Sequence, residues 1–394
     1  MVFEQRKITM GKGKIQPVYI DVWGDGDSTV DPIGELREIQ NRLYKLDNPY
    51  VGNKRGILVD IAQALESNGV VFEQVLDLFS GSGVVSTFFK LMGKTVASND
   101  LLTSSYYNAL VFSENNGVKL SAEELEFLCK NNNPNKGRFI QSNYSKRFTP
   151  EEALFLDNYR ANVDTLVEKW EKYFADDLTK NGAAKRIPEI YKAAAIVTIE
   201  HYVLNRCFLG GRLNKGQVLA ELEHRIAHDR NDGNNMSFRL DQLPNFFHDE
   251  DMGCRAYNLD AIEAAKQMRV DYPGIQLAYA DPPYGGQQSD YTQMFSFCEE
   301  YVYGKEIGSL PHLDVCKKFV TKKDYENNFR EVLDAISWVP TWAISYNATS
   351  FKDIDGIKSL IGDYRKDIKL IDIDHEYRYR KERGKASEYL IIAR

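Results

Sequence analysis

The stretch LAYADPPYGG, Leu277 to Gly286, sets an apolar run against an acid, two prolines and an aromatic ring. Such a run reads as a buried strand, and the paired prolines must stop it. Asp281 therefore stands at a strand's C-terminal end. Ligands of open α/β sheets gather just beyond those ends, so the Asp281 carboxylate, the backbone stiffened by Pro282 and Pro283, and the Tyr284 ring make a reaction site. Taken alone, the same four residues are also favoured turn formers, so other parts of the chain must decide. A second loop of this kind is DLFSGSG, Asp77 to Gly83, which follows a strand and precedes the apolar segment VVSTFFKLM. Its glycines allow a backbone to approach a ligand, although the spacing is not the dinucleotide GxGxxG. Asp77, Phe79, Ser80, Gly81 and Gly83 are the candidates here. At the end of the next strand comes Asp100, where a doubly wound fold places the acid that binds a ribose hydroxyl. A nucleoside-containing cofactor is implied. Upstream, in PYVGNKRGIL, Tyr50, Gly52 and Lys54 precede a helix whose N-terminus suits an anion or carboxylate.

The elements that must hold these residues follow from periodicity. Residues before Asp47 read as an extension with an acidic loop, DVWGDGDSTVD, and a helix from about Gly34 to Tyr44. From Asn48 the pattern is α/β: a helix at Gly56 to Glu66, a strand ending at LDLFSGSG and another closing at VASND. Between about Val111 and Gly253 it changes to long helical stretches, EEALFLDNYRANVDTLVEKWEKYF among them. Strands return near Ile275 to Ala280, Trp342 to Tyr346 and Tyr389 to Ile392, so one sheet is built from both sides of a helical insertion.

Composition limits the class further. Hydrophobic residues make up 43% and charged residues 27% of 394, ordinary values for a soluble globular protein. The segment Met1 to Met10 lacks the apolar core of a secretory signal. Cys129, Cys207, Cys254, Cys298 and Cys316 are scattered without a CxxC pair, which argues against a zinc cluster and a disulfide framework alike and fits a reducing cytoplasm. A net charge of −7 gives no global pull toward nucleic acid, so any such binding rests on local basic patches.

Together, YVGNK, DLFSGSG, the pair Asn99 and Asp100, and DPPY resemble the Dam-like, alpha-type DNA adenine methyltransferases, which transfer methyl from S-adenosylmethionine to adenine N6. The order of parts matches: lysine motif, glycine motif, target-recognition insertion, DPPY. The segment LNRCFLGGRLNKG, Leu204 to Gly216, resembles a stretch of that family's insertion, with Phe208 to Gly211 departing from its usual wording. SYN at Ser345 to Asn347 and SEYLII at Ser387 to Ile392 look like its late-sheet motifs. The resemblance implies a Rossmann-like methyltransferase sheet from residues 47–110 and 254–394, a mainly helical target-recognition insertion at 111–253, and an N-terminal extension at 1–46.

It also implies roles. The Asp281 carboxylate and the Pro282 carbonyl would accept hydrogen bonds from the target amino group, Pro283 would help fix that carbonyl, and Tyr284 would stack on a flipped base. The DLFSGSG backbone would face the cofactor's amino-acid portion, Asp100 its ribose, Tyr50 and Lys54 its vicinity, and Asp260 its adenine end. Asp260 reads equally as the N-cap of the helix AIEAAKQM. Arg206, Arg212, Asn214 and Lys215, with Arg378 and Arg380 of YRYRKERGK, would meet DNA. Double-stranded DNA and a cognate restriction endonuclease are the implied partners. His224 and His228 share one helical face in HRIAH, but no third ligand motif accompanies them and methyl transfer from a sulfonium needs no metal. RNA adenine methylation, or a binding subunit that keeps the fold without turnover, are the competing readings.

Overall fold

The computed structural model describes residues 31–44, 52, 54–175, 182–208, 213–222, 247, 251–285, 291–310, 313, 319, 321–347, 352–375 and 386–394. The chain enters through α1 (Pro32–Tyr44) and α2 (Leu58–Ser67), then alternates β1 (Gln74–Asp77), α3 (Val84–Leu91), β2 (Thr95–Asn99) and α4 (Thr103–Ala109). A helical run follows: α5 (Ala122–Leu128), α6 (Phe139–Asn143), α7 (Pro150–Tyr173), α8 (Gly182–Ile199) and α9 (Asn205–Phe208). The α/β pattern then resumes with β3 (Arg255–Tyr257), α10 (Ala261–Asp271), β4 (Leu277–Ala280), α11 (Tyr291–Tyr303) and α12 (Lys322–Ala335). β5 (Thr341–Asn347), α13 (Ile354–Gly362), β6 (Ile368–His375) and β7 (Ala386–Ala393) complete it.

These strands form one seven-stranded sheet of order β3-β2-β1-β4-β5-β7-β6. Neighbours from β3 to β5 are parallel, and β7 runs antiparallel to both β5 and β6. Two apolar clusters cover opposite faces. Val75, Leu277, Tyr279 and Ala343 pack with α2, α3 and the helical run, whereas Leu76, Ala278, Ala280 and Ile344 pack with α10, α12 and α13. A central strand covered on both sides can be apolar at every position, which is why LAYA is buried throughout. The chain leaves β1 toward β2 on one side and returns as β4 on the other, so the crevice of this sheet opens between the C-terminal ends of β1 and β4.

The expected helix at the N-terminus is present as α1, and it is no appendage: Leu36, Ile39 and Leu43 enter the same cluster as α2 and α3. The helical run is also welded to the sheet. Arg186 of α8 grips Glu114 with two hydrogen bonds of 2.9 Å and donates to the Ala256 carbonyl of β3 at 2.6 Å. Glu114 in turn accepts from the Ala256 amide at 2.7 Å. Two π-helical turns, Leu110–Glu114 and Glu200–Leu204, meet where Phe112 packs on His201, and His201 Nε2 lies 2.9 Å from Asn108 Oδ1.

Glu152 organises the other end. It closes a capping box with Thr149, whose side chain accepts from the Glu152 amide while Glu152 accepts from the Thr149 amide at 2.9 Å, and Pro150 fills N1. The same buried carboxylate accepts from the amides of Gly216 at 3.0 Å and Val218 at 2.7 Å. It thereby anchors the LNKG loop to α7. Glu152→Ala should cost about 3 kcal/mol in urea unfolding, because it leaves buried amides without an acceptor. A loss near ~0.5 kcal/mol, the scale of a surface substitution, would show that water replaces it.

Candidate active site

Three acids converge at the crevice. Asp77 ends β1, paired in register with Tyr279 of β4; Asp100 follows β2; and Asp281 follows β4. Between the first two runs the glycine turn. Gly81 and Gly83 have φ of 51° and 73°, which L side chains rarely adopt. A Cβ on Gly83 would also meet the backbone of Asn108 and Ala109 at 3.3 Å, so this turn must be bare to pass under α4. Asp100 holds the turn from the side, accepting from the Gly81 amide at 2.8 Å and the Leu102 amide at 2.9 Å. Its neighbour Asn99 braces three strand ends at once: its side chain donates to the carbonyls of Leu78 and Leu259 and accepts from the Leu259 amide. Phe79 is half-buried against the α10 side.

The turn has polar atoms to spare. Asp77 is fully buried and accepts from Ser86 Oγ at 2.6 Å, yet its Oδ1, like Ser80 Oγ, has no hydrogen-bond partner among the described residues. Burial pushes the Asp77 carboxyl up to about 7, against the Ser86 hydrogen bond that lowers it, with Asp281 and Asp100 adding to the rise. Burial likewise pushes Asp100 up to about 7, with the Leu102 and Gly81 amides opposing. A cationic ligand with hydrogen-bond donors fits this set, since it would satisfy the orphaned oxygens and favour the ionised acids.

At Asp281 the surroundings differ. Lys54, 4% exposed, reaches Asp281 Oδ2 at 2.9 Å and Glu388 Oε1 of β7 at 2.9 Å. Its ammonium also donates to the Tyr284 hydroxyl at 2.8 Å and lies over the Tyr284 ring. That hydroxyl in turn touches Asp281 Oδ1 and lies 2.9 Å from Glu388 Oε1, while Ser345 Oγ of β5 donates to Glu388 at 2.6 Å. Burial raises the Asp281 carboxyl, with Lys54 opposing and Glu388 reinforcing. Burial acts on Glu388 too, but Lys54, Ser345 and Tyr284 outweigh it and hold that carboxyl below its ordinary range. Asp281 is 20% exposed where Glu388 is 1% exposed, so of the two carboxylates Asp281 is the one a substrate can reach.

The structure thus brings together Lys54, Asp77, Ser80, Gly81, Gly83, Asp100, Asp281, Pro282 and Tyr284 at one edge of the sheet. Asp260 sits at the end of β3 and caps α10, accepting from the Ile262 amide at 3.1 Å, as one of its two readings required. Asn214 and Lys215 are exposed, and Lys215 Nζ donates to the Ser145 carbonyl at 2.7 Å. Arg147 holds this segment from below, donating to the carbonyls of Cys207 and Leu213. Tyr50, Arg212, Arg378, Arg380, His224, His228 and the Arg206 side chain lie outside the described residues. Glu388 was not singled out by sequence reasoning. Its one signal is an acid set into the apolar strand SEYLII.

A mainly parallel sheet of this order, with a glycine turn at its crevice, defines a Rossmann-like methyltransferase. Within that class, residues 50–217 match the family model of the D12 class N6 adenine-specific DNA methyltransferases. Members of that family generally use S-adenosylmethionine. The chain is similar to the type II methyltransferase M2.HphI of Haemophilus parahaemolyticus, 23% identical over 351 residues that make up 87% of this chain and 96% of that protein. It is 26% identical to modification methylase StsI of Streptococcus sanguinis over 61% of this chain and 34% of that one. With the type II methyltransferase M.FokI of Planomicrobium okeanokoites it shares 23% identity over 72% of this chain and 42% of that one. No helix among the described residues is long and apolar enough to cross a membrane.

The raised Asp77 carboxyl has a consequence for stability. With a folded-state value of about 7 above the ordinary 3.8, folding takes up a proton between those values, so stability falls as pH rises through that window and stays lower above it. Asp77→Asn should therefore weaken the decline in melting temperature between about pH 4 and 8 and make the cofactor-free protein at least as stable as the native chain at pH 8. An unchanged slope would mean that Asp77 is ionised in the fold throughout.

Proposed function

We propose that this chain transfers the methyl group of S-adenosylmethionine to N6 of an adenine flipped out of duplex DNA, within a restriction-modification system. The observation that carries the reading is Asp281 of DPPY, held beyond β4 and beside the glycine turn of β1, in a chain whose residues 50–217 match the adenine-methylating family's model. Residues 47–110 and 254–394 serve as the catalytic domain, 111–253 as the target-recognition insertion, and 1–46 as an extension.

An adenine amino group is a poor nucleophile because its lone pair is delocalised into the ring. The cofactor, when bound, supplies a methyl already activated by the adjacent sulfonium charge. The protein must therefore position and polarise. The Asp281 carboxylate and the Pro282 carbonyl accept from the amino protons, turning the lone pair toward the methyl, and Pro283 stiffens the loop. Transfer would form the N–C bond as the methyl–sulfur bond breaks, and the amino proton would pass to Asp281 or to water. Both Asp281 oxygens are engaged in this structure, by Lys54 and Tyr284, so the amino group must share or displace those contacts. Tyr284 presents its ring to the base. N6 cannot reach the methyl while paired and stacked, hence the flip.

For the cofactor, the reading assigns Tyr50, Lys54, Asp77, Phe79, Ser80, Gly81, Gly83, Asp100 and Asp260. The orphaned oxygens of Asp77 and Ser80 support it most directly. DNA contacts fall to Arg206, Arg212, Asn214, Lys215, Arg378 and Arg380. The relatives named as modification methylases favour a restriction endonuclease of the same target as functional partner.

The test is transfer of labelled methyl from S-adenosylmethionine to mixed-sequence duplex DNA, with matched RNA in parallel and the product nucleosides identified. N6-methyladenine in DNA is expected, reduced at least about 10³-fold in Asp281→Ala with cofactor affinity within about threefold of native. Label in RNA alone would change the substrate, and label in neither would leave a binding subunit. Tyr284→Ala should impair paired targets more than mismatched ones, because a mismatch lowers the cost of flipping. Equal loss on both would remove the stacking role.

A further inference from the structure

Glu388 lies far from DPPY in sequence and is almost wholly buried, yet it belongs to the same network. It is placed by β7, the one strand running against the sheet, opposite Asn347 of β5. A buried carboxylate needs partners or it loses its charge. Its partners include Ser345 Oγ at 2.6 Å, Lys54 Nζ at 2.9 Å and the Tyr284 hydroxyl at 2.9 Å. The last two are also the partners of Asp281. Neither can be fully given to both acids. Lys54 carries one positive charge for two carboxylates, and the Tyr284 hydroxyl has one proton to donate.

We infer that Glu388 is a positioning residue of the methyl-transfer site, a second carboxylate that competes with Asp281 for Lys54 and the Tyr284 hydroxyl and so sets the charge and orientation with which Asp281 meets the target amino group. This rests on the function proposed above. The groups facing Glu388 are Lys54, Asp281, Tyr284 and Ser345, and those facing Asp281 include Asp77 of β1 and Tyr279 of β4 as well. Among them Lys54 is the cation. Removing the Glu388 charge takes away a carboxylate that competes for the Lys54 ammonium and repels Asp281, which favours the ionised form of Asp281. The ionised form is the one that accepts from N6–H, so activity should persist to lower pH.

The experiment is the pH dependence of kcat/KM for methyl transfer to duplex DNA, native against E388Q, with thermal melting to confirm folding. Glutamine keeps the shape and an acceptor oxygen and loses only the charge. The acid limb of E388Q should lie about one pH unit below the native limb. A purely structural Glu388 would lower the melting temperature or kcat and leave the limb in place. If E388Q does not fold, K54Q is compared with K54Q/E388Q, in which the Lys54 cation and the Glu388 charge are removed together; the double variant's limb should lie below that of K54Q. A limb that stays within about 0.2 unit in the pair that folds, or a native profile without an acid limb, overturns the inference. A native protein that makes no N6-methyladenine at any pH overturns the function proposed above instead.

Discussion

One buried ammonium holds the active edge of this sheet together. Lys54 comes from the segment before the first strand, Asp281 and Tyr284 follow β4, and Glu388 comes from the last strand, yet all meet within 2.9 Å of its Nζ. Burying any one of these groups alone would cost several kcal/mol, so each depends on the others being in place. The arrangement is therefore a register lock. It is satisfied when β7 lies antiparallel on β5 with Glu388 opposite Asn347 and when the DPPY turn leaves β4 at Ala280. A slip of one residue in β7 would turn Glu388 to the other face and leave Lys54 with half its compensation.

The helical run gains its rigidity by a different means. Its acids serve as acceptors for backbone amides: Glu152 ties the LNKG loop to α7, and Glu299 of α11 accepts from the amides of Thr103 and Ser104 at the start of α4. Aromatic packing joins the same pieces, since Phe297 of α11 stacks on Phe208 of α9 at 4.0 Å while Arg147 lies over Phe208. α11 begins shortly after DPPY and packs on the segment that carries Asn205 and Cys207. Residues resembling the family's target-recognition stretch are thus held by the helix that comes next after DPPY in the chain.

Much of this was legible from the chain alone, and what was not has a physical cause. Turn residues marked the ends of β1, β2 and β4, because a strand covered on both faces is an unbroken apolar run that glycine or proline must stop. β3 is a three-residue strand, RAY, too short to show a period. β6, IKLIDIDH, reads as alternating and charged because it is an edge strand with one solvated side. Asp100 was recognised by its position, but its bonds to Gly81 and Leu102 depend on the fold of the turn itself. Glu388 was hidden for another reason. An acid in an apolar strand has meaning only beside Lys54 and Tyr284, and sheet topology, not local sequence, decides which strands become neighbours.

The same topology explains why, among the described residues, the crevice is short of positive charge. Asp77, Asp100 and Asp281 sit at the ends of three adjacent strands, and one lysine, already shared with Glu388, stands near one of them. Burial raises all three carboxyls, so a cation beside them would favour their ionised forms. On the function proposed above, a ligand bearing an ammonium and a sulfonium would supply positive charge and would meet the orphaned oxygens of Asp77 and Ser80 in the same act. Binding and stability are then linked, because a ligand that prefers the folded state stabilises it by mass action, and here it also relieves the cost of the buried acids. On that reading, the acids whose burial is costly are the ones that would favour a cationic cofactor.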